Sequence, residues 1–224
     1  LGLPDSEYHT DGMEFHGRFS MLKAGIRYSD AVTTVSPTYA KEIQTPEYGC
    51  GLDGLLRARS SQLSGILNGV DYGIWSPDKD PHIHSAYFDQ DQEPKQLNKE
   101  DLQIKLGLDV DPDKPVFGVV SRMSEQKGLD LVHEVIPYFV DKGAQFAILG
   151  SGDPMLEEGF RMLASDNPEM VATTIGYNEP LSHQIQAGCD FFLVPSRFEP
   201  CGLTQLYALR YGTLPVVRHT GGLA

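Results

Sequence analysis

The pattern of apolar and polar positions separates a repetitive later part of the chain from a less regular earlier part. From Val116 onward, short apolar runs alternate with stretches in which apolar residues recur at helical spacing. Strands that alternate with helices at this spacing predict right-handed crossovers and a parallel sheet. The predicted strands are 116–120, 145–149, 171–175, 191–194 and 214–217, and the predicted helices are 129–140, 155–164, 181–187 and 203–211.

The earlier part has shorter patterns. Apolar residues at 19, 22 and 26 predict a helix over 19–27, on which Lys23 is expected to be solvated or to extend along the apolar stripe. A buried strand over 31–35 is followed by Ser36 and Pro37, an N-cap and a first helical residue for a helix ending at Ile43. A short helix at 52–57 and a short strand at 64–67 complete this part.

A turn signal and a polar stretch follow. Asn68 opens the turn Asn-Gly-Val-Asp, and 77–94 is acidic, rich in proline and without period, as expected of a connecting loop. His82 and His84 fall in this loop with no further ligands nearby, so we expect solvated histidines and no metal site. Asn98 is predicted to cap a helix that ends at Leu106.

Composition excludes several classes of function. The chain has 224 residues and a formal net charge of −13, which makes nucleic acid an unfavourable partner. No apolar run approaches a membrane span, and the first residues lack a signal-peptide pattern. The three cysteines lack metal-type spacing and fit a reducing compartment, so we expect a soluble, cytoplasmic protein.

Two loops that follow predicted strands carry candidate chemistry. Arg122 and Lys127 lie five residues apart after the first strand of the repeat, and Glu199 and Thr204 follow the fourth. Because parallel strands end at the same edge of a sheet, we expect these loops to line one crevice and to bind an anion there. The alternative is a set of solvated surface turns.

These two loops, Arg122-x4-Lys127-Gly128 and Glu199-Pro-Cys-Gly-Leu-Thr204, resemble those of bacterial glycogen synthases and plant starch synthases. Further matches run along the whole chain: Leu22-Lys23-Ala24-Gly25, Thr34-Val35-Ser36-Pro37, Leu67-Asn68-Gly69-Val70-Asp71, Trp75-Ser76-Pro77, Gly150-x-Gly152-Asp153-Pro154 and Arg218-x-Thr220-Gly221-Gly222-Leu223. So many collinear matches are hard to produce by chance.

The resemblance implies an α/β fold of two Rossmann-like domains (GT-B type). Residues 1–65 would be the tail of the N-terminal, acceptor-side domain, and 66–224 a nearly complete C-terminal domain that binds the nucleotide sugar. The chain is therefore expected to be an internal piece of a longer enzyme, inactive by itself. The resemblance implies that the protein is located in the bacterial cytoplasm or, alternatively, in a plastid.

The resemblance also implies roles for the loop residues. Arg122 and Lys127 would hold the diphosphate, Glu199 would contact the donor glucose, and the Leu203 amide and Thr204 would bind the terminal phosphate. A lone carboxylate does not support the two-carboxylate chemistry of glycoside hydrolysis. Cys201 and Gly202 are expected to shape the loop.

Three further residues are assigned by the same resemblance, each with an alternative. Tyr177 would stack on adenine, or else is a partly buried loop aromatic. Asn68 would face the cleft, or else only forms a turn. The residue eight positions after Glu199 is Tyr207, where many retaining glycosyltransferases carry a second glutamate. This departure matches the glycogen and starch synthase group, and contact of Tyr207 with ribose is possible.

The implied activity is transfer of glucose from ADP-glucose, with retained configuration, to the non-reducing end of an α-1,4-glucan. The donor would be a substrate, and no separate cofactor or metal is expected. The alternatives are a UDP-sugar transferase, a sugar-nucleotide epimerase, or a nucleotide-sugar binding module without activity. The Glu199 loop and Tyr207 argue against the epimerase.

Overall fold

The structure, a computed structural model, describes residues 5–88 and 92–224 and separates into two compact units. The first unit contains the described residues up to Asn68 together with Thr220–Gly222 and Ala224. The second contains the described part of Gly69–His219 and Leu223. The domain limits drawn from the resemblance stay a prediction.

The first unit contains two small pairs of strands and three short helices. Strands β1 and β2 pair antiparallel, and β3 and β4 pair parallel. The elements are β1 (Glu14–Phe15), β2 (Arg18–Phe19), α1 (Met21–Tyr28), β3 (Val32–Thr34), α2 (Pro37–Glu42), α3 (Asp53–Ala58) and β4 (Leu63–Gly65).

Helix α1 corrects two predictions. It begins at Met21 after the N-cap Ser20, whereas Phe19 lies in β2, so the predicted helix start was wrong. Leu22, expected on the buried stripe, is 67% exposed, and Lys23 is 8% exposed. The Lys23 ammonium donates hydrogen bonds to the backbone carbonyls of Glu14, at 2.6 Å, and of Thr10. Its prediction as a solvated side chain was therefore wrong, because carbonyl oxygens replace water around the charge.

The cap of α2 is confirmed. The Ser36 hydroxyl accepts a hydrogen bond from the Tyr39 amide at 3.0 Å, and Pro37 is the first helical residue. The strands beside α2 are shorter than predicted. The strand predicted over 31–35 is present as the three residues of β3, but its middle residue is exposed and the other two are half-buried, so its predicted burial was wrong.

The second unit is built on a five-stranded parallel sheet in the order β7-β6-β5-β8-β9. The predicted parallel sheet is confirmed. The elements are α4 (Gln92–Leu106), β5 (Val116–Val120), α5 (Leu129–Val140), β6 (Gln145–Gly150), α6 (Pro154–Asp166), β7 (Val171–Ile175), α7 (Glu179–Gly188), β8 (Phe191–Val194), α8 (Leu203–Arg210) and β9 (Leu214–Val217).

Helices cover both faces of this sheet. One core contains Leu102 of α4, Ile185 of α7 and Ala208 of α8, and the other contains Ile136 of α5 and Phe160 of α6. All six residues of β6 are buried, with alternate side chains in the two cores. Burial on both faces explains why the central strands β5, β6 and β8 are nearly continuous apolar runs.

The start of α4 was predicted wrongly. The helix begins at Gln92, six residues before the supposed cap Asn98. The Asn98 amide instead donates to the carbonyls of Ser85 and Pro94, at 2.7 and 2.9 Å, and its oxygen accepts from the Ser85 amide at 3.1 Å. Pro94 is tolerated because it lies in the first helical turn, where no intrahelical N–H is required.

Candidate functional site

The loops after β5 and β8 meet at the carboxyl edge of the sheet. The Arg197 amide donates to the Gln126 carbonyl at 2.8 Å, and Gly128 lies so close to the second loop that a Cβ there would be 2.3 Å from the Pro195 carbonyl oxygen. Gly128 also has a φ of 69°, which L side chains rarely adopt. Contact between these loops, predicted from strand order, is thus made through a glycine.

This contact brings Lys127 and Glu199 together. The Lys127 ammonium lies 2.6 Å from Oε2 of Glu199, and the Ser196 hydroxyl donates to the same oxygen at 2.9 Å. Glu199 is 7% exposed and Ser196 is fully buried. Lys127 and Ser196 thus hold Oε2, one of the two carboxylate oxygens of Glu199, in a fixed position.

An ion pair behind these residues fixes the two loops. The Arg197 guanidinium donates two hydrogen bonds of 2.7 Å to the two carboxylate oxygens of Asp130 at the start of α5. This bidentate pair lowers the pKa of Asp130 below its ordinary value. Sequence reasoning missed the pair, because nothing in the spacing of residues 130 and 197 indicates contact.

Arg122 lies at the same edge, with its side chain in solvent. Within the described residues it forms no salt bridge, and its guanidinium donates to the Gln126 side chain at 3.3 Å. Arg122 and Thr204 line both a cavity of about 210 Å³ that contains Lys127 and Glu199 and a neighbouring cavity of about 630 Å³. The structure thus brings together all four charged and hydroxyl residues that were predicted to share a crevice.

The larger cavity extends across the sheet edge from α8 to β7. Tyr177, directly after β7, lies at its wall and is 89% exposed, which rules out the alternative of a partly buried aromatic. The volume of this cavity, about 630 Å³, lies within the usual range for small-molecule sites. The lining residues on which the rest of the description depends are Trp75, Arg122, Tyr177, Gln186, Thr204 and Tyr207.

Two glycines bring the loop after β6 against the loop after β5. A Cβ on Gly150 would lie 1.9 Å from the Ser121 carbonyl oxygen, and one on Gly152 would lie 2.2 Å from that of Met123. The backbone of Met123 donates to the Ser151 carbonyl and accepts from the Asp153 amide. The Gly-x-Gly motif, named above as a family match, therefore permits this loop contact.

The remaining predicted residues have simpler surroundings. Gly202 is the N-cap of α8 with a φ of 73°, which places Leu203 and Thr204 at the start of that helix, and Cys201 is half-buried before it. Asn68 is exposed in irregular backbone after β4. The binding roles assigned to these residues stay predictions.

Trp75 was missed as a cavity residue; the sequence offered it only as part of a motif match. Its ring stacks on the Tyr207 ring, with centroids 4.0 Å apart, and on the His183 ring, at 3.8 Å. Asp80 holds His183 by a contact of 2.6 Å to Nδ1 and also accepts a hydrogen bond from the Tyr211 hydroxyl. Burial raises the pKa of Asp80, but the hydrogen bonds from His183, from Tyr211 and from the His82 amide, together with electrostatic attraction to His183, hold the pKa below its ordinary value.

No group of three or more histidine, cysteine or acidic residues in the described ranges is arranged to hold a metal ion. His84 lies 3.5 Å from Asp101, and the His82 ring packs edge-on against His183. Nor does any helix in the described ranges have the length and apolar character needed to cross a bilayer.

The sequence of this chain is similar to family models and to known proteins along most of its length. A family model described as "Starch synthase catalytic domain" matches residues 1–58, and one described as "Glycosyl transferases group 1" matches residues 114–224. The glycogen synthase of Marinomonas sp. is 62% identical over 213 residues, which are 95% of this chain and 45% of that protein. The glycogen synthase of Yersinia enterocolitica is 56% identical over 226 residues, covering 100% of this chain and 48% of that protein.

A solved structure agrees with these sequence matches. The catalytic domain of starch synthase IV from Arabidopsis thaliana, bound to ADP and acarbose, superimposes with a TM-score of 0.93 and 39% identity. The superposition covers 99% of this chain and 47% of that one. The GT-B α/β fold is thereby confirmed, and the chain spans about half the length of the relatives it matches.

Proposed function

We propose, because the chain belongs to the family of bacterial glycogen synthases and plant starch synthases, that it forms the donor site of an α-1,4-glucan synthase. The reaction is transfer of glucose from ADP-glucose to the non-reducing end of the glucan, with retained configuration. The observation that carries the proposal is the Lys127–Glu199 pair, which lies beside Arg122 and Thr204 at the carboxyl edge of the parallel sheet.

The charges at the carboxyl edge of the sheet suit a nucleoside diphosphate. Negative charge grows on the pyrophosphate as the bond to glucose breaks, and fixed cations in a partly enclosed site stabilise that charge. Arg122 offers a planar pair of donors to phosphate oxygens, and Lys127 offers a point charge. On this proposal the two side chains supply the positive charge, and the donor sugar nucleotide needs no separate cofactor.

Glu199 is proposed to recognise the sugar. Lys127 and Ser196 donate to Oε2, which fixes the carboxylate, and a glucose hydroxyl is proposed to donate a hydrogen bond to Oε1. The start of α8, with the Leu203 amide and the Thr204 hydroxyl, is proposed to bind the terminal phosphate, since helix N-termini bind anions. Tyr177 is proposed to stack on the base.

ADP is the proposed nucleotide because the Arabidopsis relative was solved with ADP. Cys50, Cys189 and Cys201 form no disulfide within the described residues, which is consistent with the proposed cytoplasmic location, where thiols stay reduced.

Two measurements test the proposal. Calorimetric titration of this chain with ADP-glucose is expected to give saturable binding that is tighter than binding of UDP-glucose. A chimera in which this chain replaces its counterpart in the Marinomonas glycogen synthase is expected to incorporate labelled glucose into glycogen, with the unaltered Marinomonas enzyme as control. A chimera that has native circular dichroism but no incorporation would contradict the proposed activity.

A further inference from the structure

The segment between residues 69 and 88 contains no helix or strand, yet it is fixed to the second unit. The Arg210 guanidinium donates to the Ser76 hydroxyl at 2.6 Å, and the Tyr87 hydroxyl donates to the Tyr211 carbonyl at 2.7 Å. The Gln184 amide donates to the carbonyl of His82 at 2.9 Å. These bonds span more than one hundred positions of sequence and make the segment part of the wall of the unit.

One residue of this segment, Trp75, reaches the cavity of about 630 Å³. Its ring is nearly parallel to the rings of Tyr207 and His183, with interplanar angles of 3° and 9°. The three rings form a stack that is half-buried at Tyr207 and fully buried at His183. Parallel stacking on both neighbours restricts rotation of all three side chains.

Asp80 fixes the buried end of this stack. Its side chain is completely buried and contacts Nδ1 of His183, whose side chain is 1% exposed. Because the Asp80 carboxylate is ionised, it accepts a hydrogen bond from the protonated Nδ1 of His183. This hydrogen bond sets the plane of the imidazole ring. The orientation of Trp75, and through it of Tyr207, therefore depends on a buried hydrogen bond outside the cavity.

The open end of the stack has the chemistry of a nucleoside site. Tyr207 lies three residues after Thr204 on α8, so both side chains fall on one face of the helix and line the cavity together. Tyr177 lines the same cavity beyond β7, and Arg122 lines it beyond β5. Aromatic rings suit a base and a ribose, whereas Arg122 and Thr204 suit phosphates.

Building on the proposed function, we propose that Trp75 is a positioning residue of the nucleotide site. By stacking on Tyr207 it holds that ring in place as a second aromatic wall for the nucleoside of the donor, in addition to Tyr177. The segment at 69–88 is then part of the determinant of nucleotide specificity, and the phosphate end of the site does not depend on it.

The chain provides its own reporter for this proposal, since Trp75 is its only tryptophan. Titration of the wild-type chain with ADP is expected to change tryptophan emission saturably, with the midpoint found by calorimetry. Pyrophosphate, which has the phosphates but no nucleoside, is expected to bind without this change. Binding of both ligands with unaltered emission would overturn the inference alone, whereas a chain that binds neither ligand would overturn the proposed function as well.

Substitutions separate positioning from general stability. Trp75→Leu is expected to weaken ADP binding about tenfold while pyrophosphate binding stays within about twofold, and Trp75→Phe is expected to stay within about threefold for both. Tyr72→Leu is the matched control, because Tyr72 lies in the same segment and packs over Arg210. Equal loss of both ligands in Trp75→Leu would indicate a structural role only. If that variant does not fold, the emission of the wild-type chain decides.

Discussion

At the residue scale, the site is organised around one carboxylate oxygen. Lys127 and Ser196 both donate to Oε2 of Glu199, so the Lys127 charge is compensated before any ligand arrives. An ammonium group has three N–H donors, and it can keep this bond while it donates to a phosphate. Glu199 thus positions Lys127 and also places a negative charge near the proposed diphosphate.

This arrangement gives different expectations for the two cations. Lys127→Ala removes a charge-assisted hydrogen bond to phosphate and also leaves Glu199 unpaired, so we expect ADP binding to weaken more than about a hundredfold. Arg122→Ala removes a cation that has no carboxylate partner among the described residues, and a loss of about ten- to a hundredfold is expected.

A double variant checks the physical reason. Lys127→Ala combined with Glu199→Gln is expected to bind ADP more tightly than Lys127→Ala alone, because the unpaired negative charge is gone. Calorimetry on wild type, Lys127→Ala, Glu199→Gln and the double variant, with circular dichroism to confirm folding, measures this difference. Equal affinity in the single and the double variant would mean that Glu199 does not act on the phosphates electrostatically.

Tyr177 gives a prediction about the ring face. The ring is 89% exposed, and its hydroxyl lies 3.2 Å from the Glu179 carboxylate. Tyr177→Ala is expected to weaken ADP binding about tenfold through loss of base stacking, whereas Tyr177→Phe is expected to be nearly neutral. In the chimera with the Marinomonas enzyme, the Ala variant should raise KM and leave kcat almost unchanged, because stacking is the same in the ground and transition states. A Phe variant as weak as the Ala variant would assign the effect to the hydroxyl.

At the element scale, the accuracy of the sequence predictions depended on burial. Helix α5 and strands β5, β7, β8 and β9 have the predicted bounds. Strands β5 and β8 are buried or half-buried along their whole length, so their apolar runs coincide with the strands, whereas alternate residues of β9 are exposed. Helix α4 is mostly polar, and its proline near the start was read as part of a loop.

Contacts between distant elements could not be predicted from local patterns. Lys23 lies beside an apolar stripe, yet its ammonium donates to the backbone carbonyls of Thr10 and Glu14. The stacking partners of Trp75 lie at 183 and 207, more than one hundred residues away. The positions of Lys127 and Glu199 were predictable because strand order alone brings their loops to the same edge.

Gly150 tests the contact between the loops after β5 and β6. A Cβ at this position would lie 1.9 Å from the Ser121 carbonyl oxygen. This oxygen belongs to the backbone, so it cannot move away as the end of a flexible side chain could. We expect Gly150→Ala to lower the free energy of unfolding by about 2 kcal/mol or more. Gly69→Ala is the control, because a Cβ at Gly69 meets nothing within 4 Å. Urea unfolding curves that coincide for Gly150→Ala and wild type would contradict the close approach of these loops.

At the scale of the whole second unit, a buried lysine joins elements that are distant in sequence. Lys95 of α4 donates to the carbonyls of Ala187 and Tyr211, at 3.0 and 3.1 Å, and to the Thr213 hydroxyl at 2.8 Å. It thereby ties α4 to the ends of α7 and α8 and to the residue before β9. Burial of this ammonium lowers its pKa from 10.5 to about 8.

This shift predicts a pH dependence of stability with a defined sign. Between about pH 8 and pH 10.5 the unfolded chain binds a proton at Lys95 and the native chain does not, so the free energy of unfolding rises with pH by at most about 1.4 kcal/mol per unit. Lys95→Met has no proton to lose at this position, so wild type should gain stability relative to Lys95→Met between about pH 8 and pH 10.5. Below pH 8 the difference in free energy of unfolding between the two proteins should be constant. Lys105→Met on the same helix is the matched control for loss of a lysine, because the Lys105 side chain is 44% exposed. Urea unfolding at half-unit pH steps measures the free energy of unfolding of both proteins. A difference between wild type and Lys95→Met that stays constant up to pH 10 would show that Lys95 keeps its proton in the folded protein.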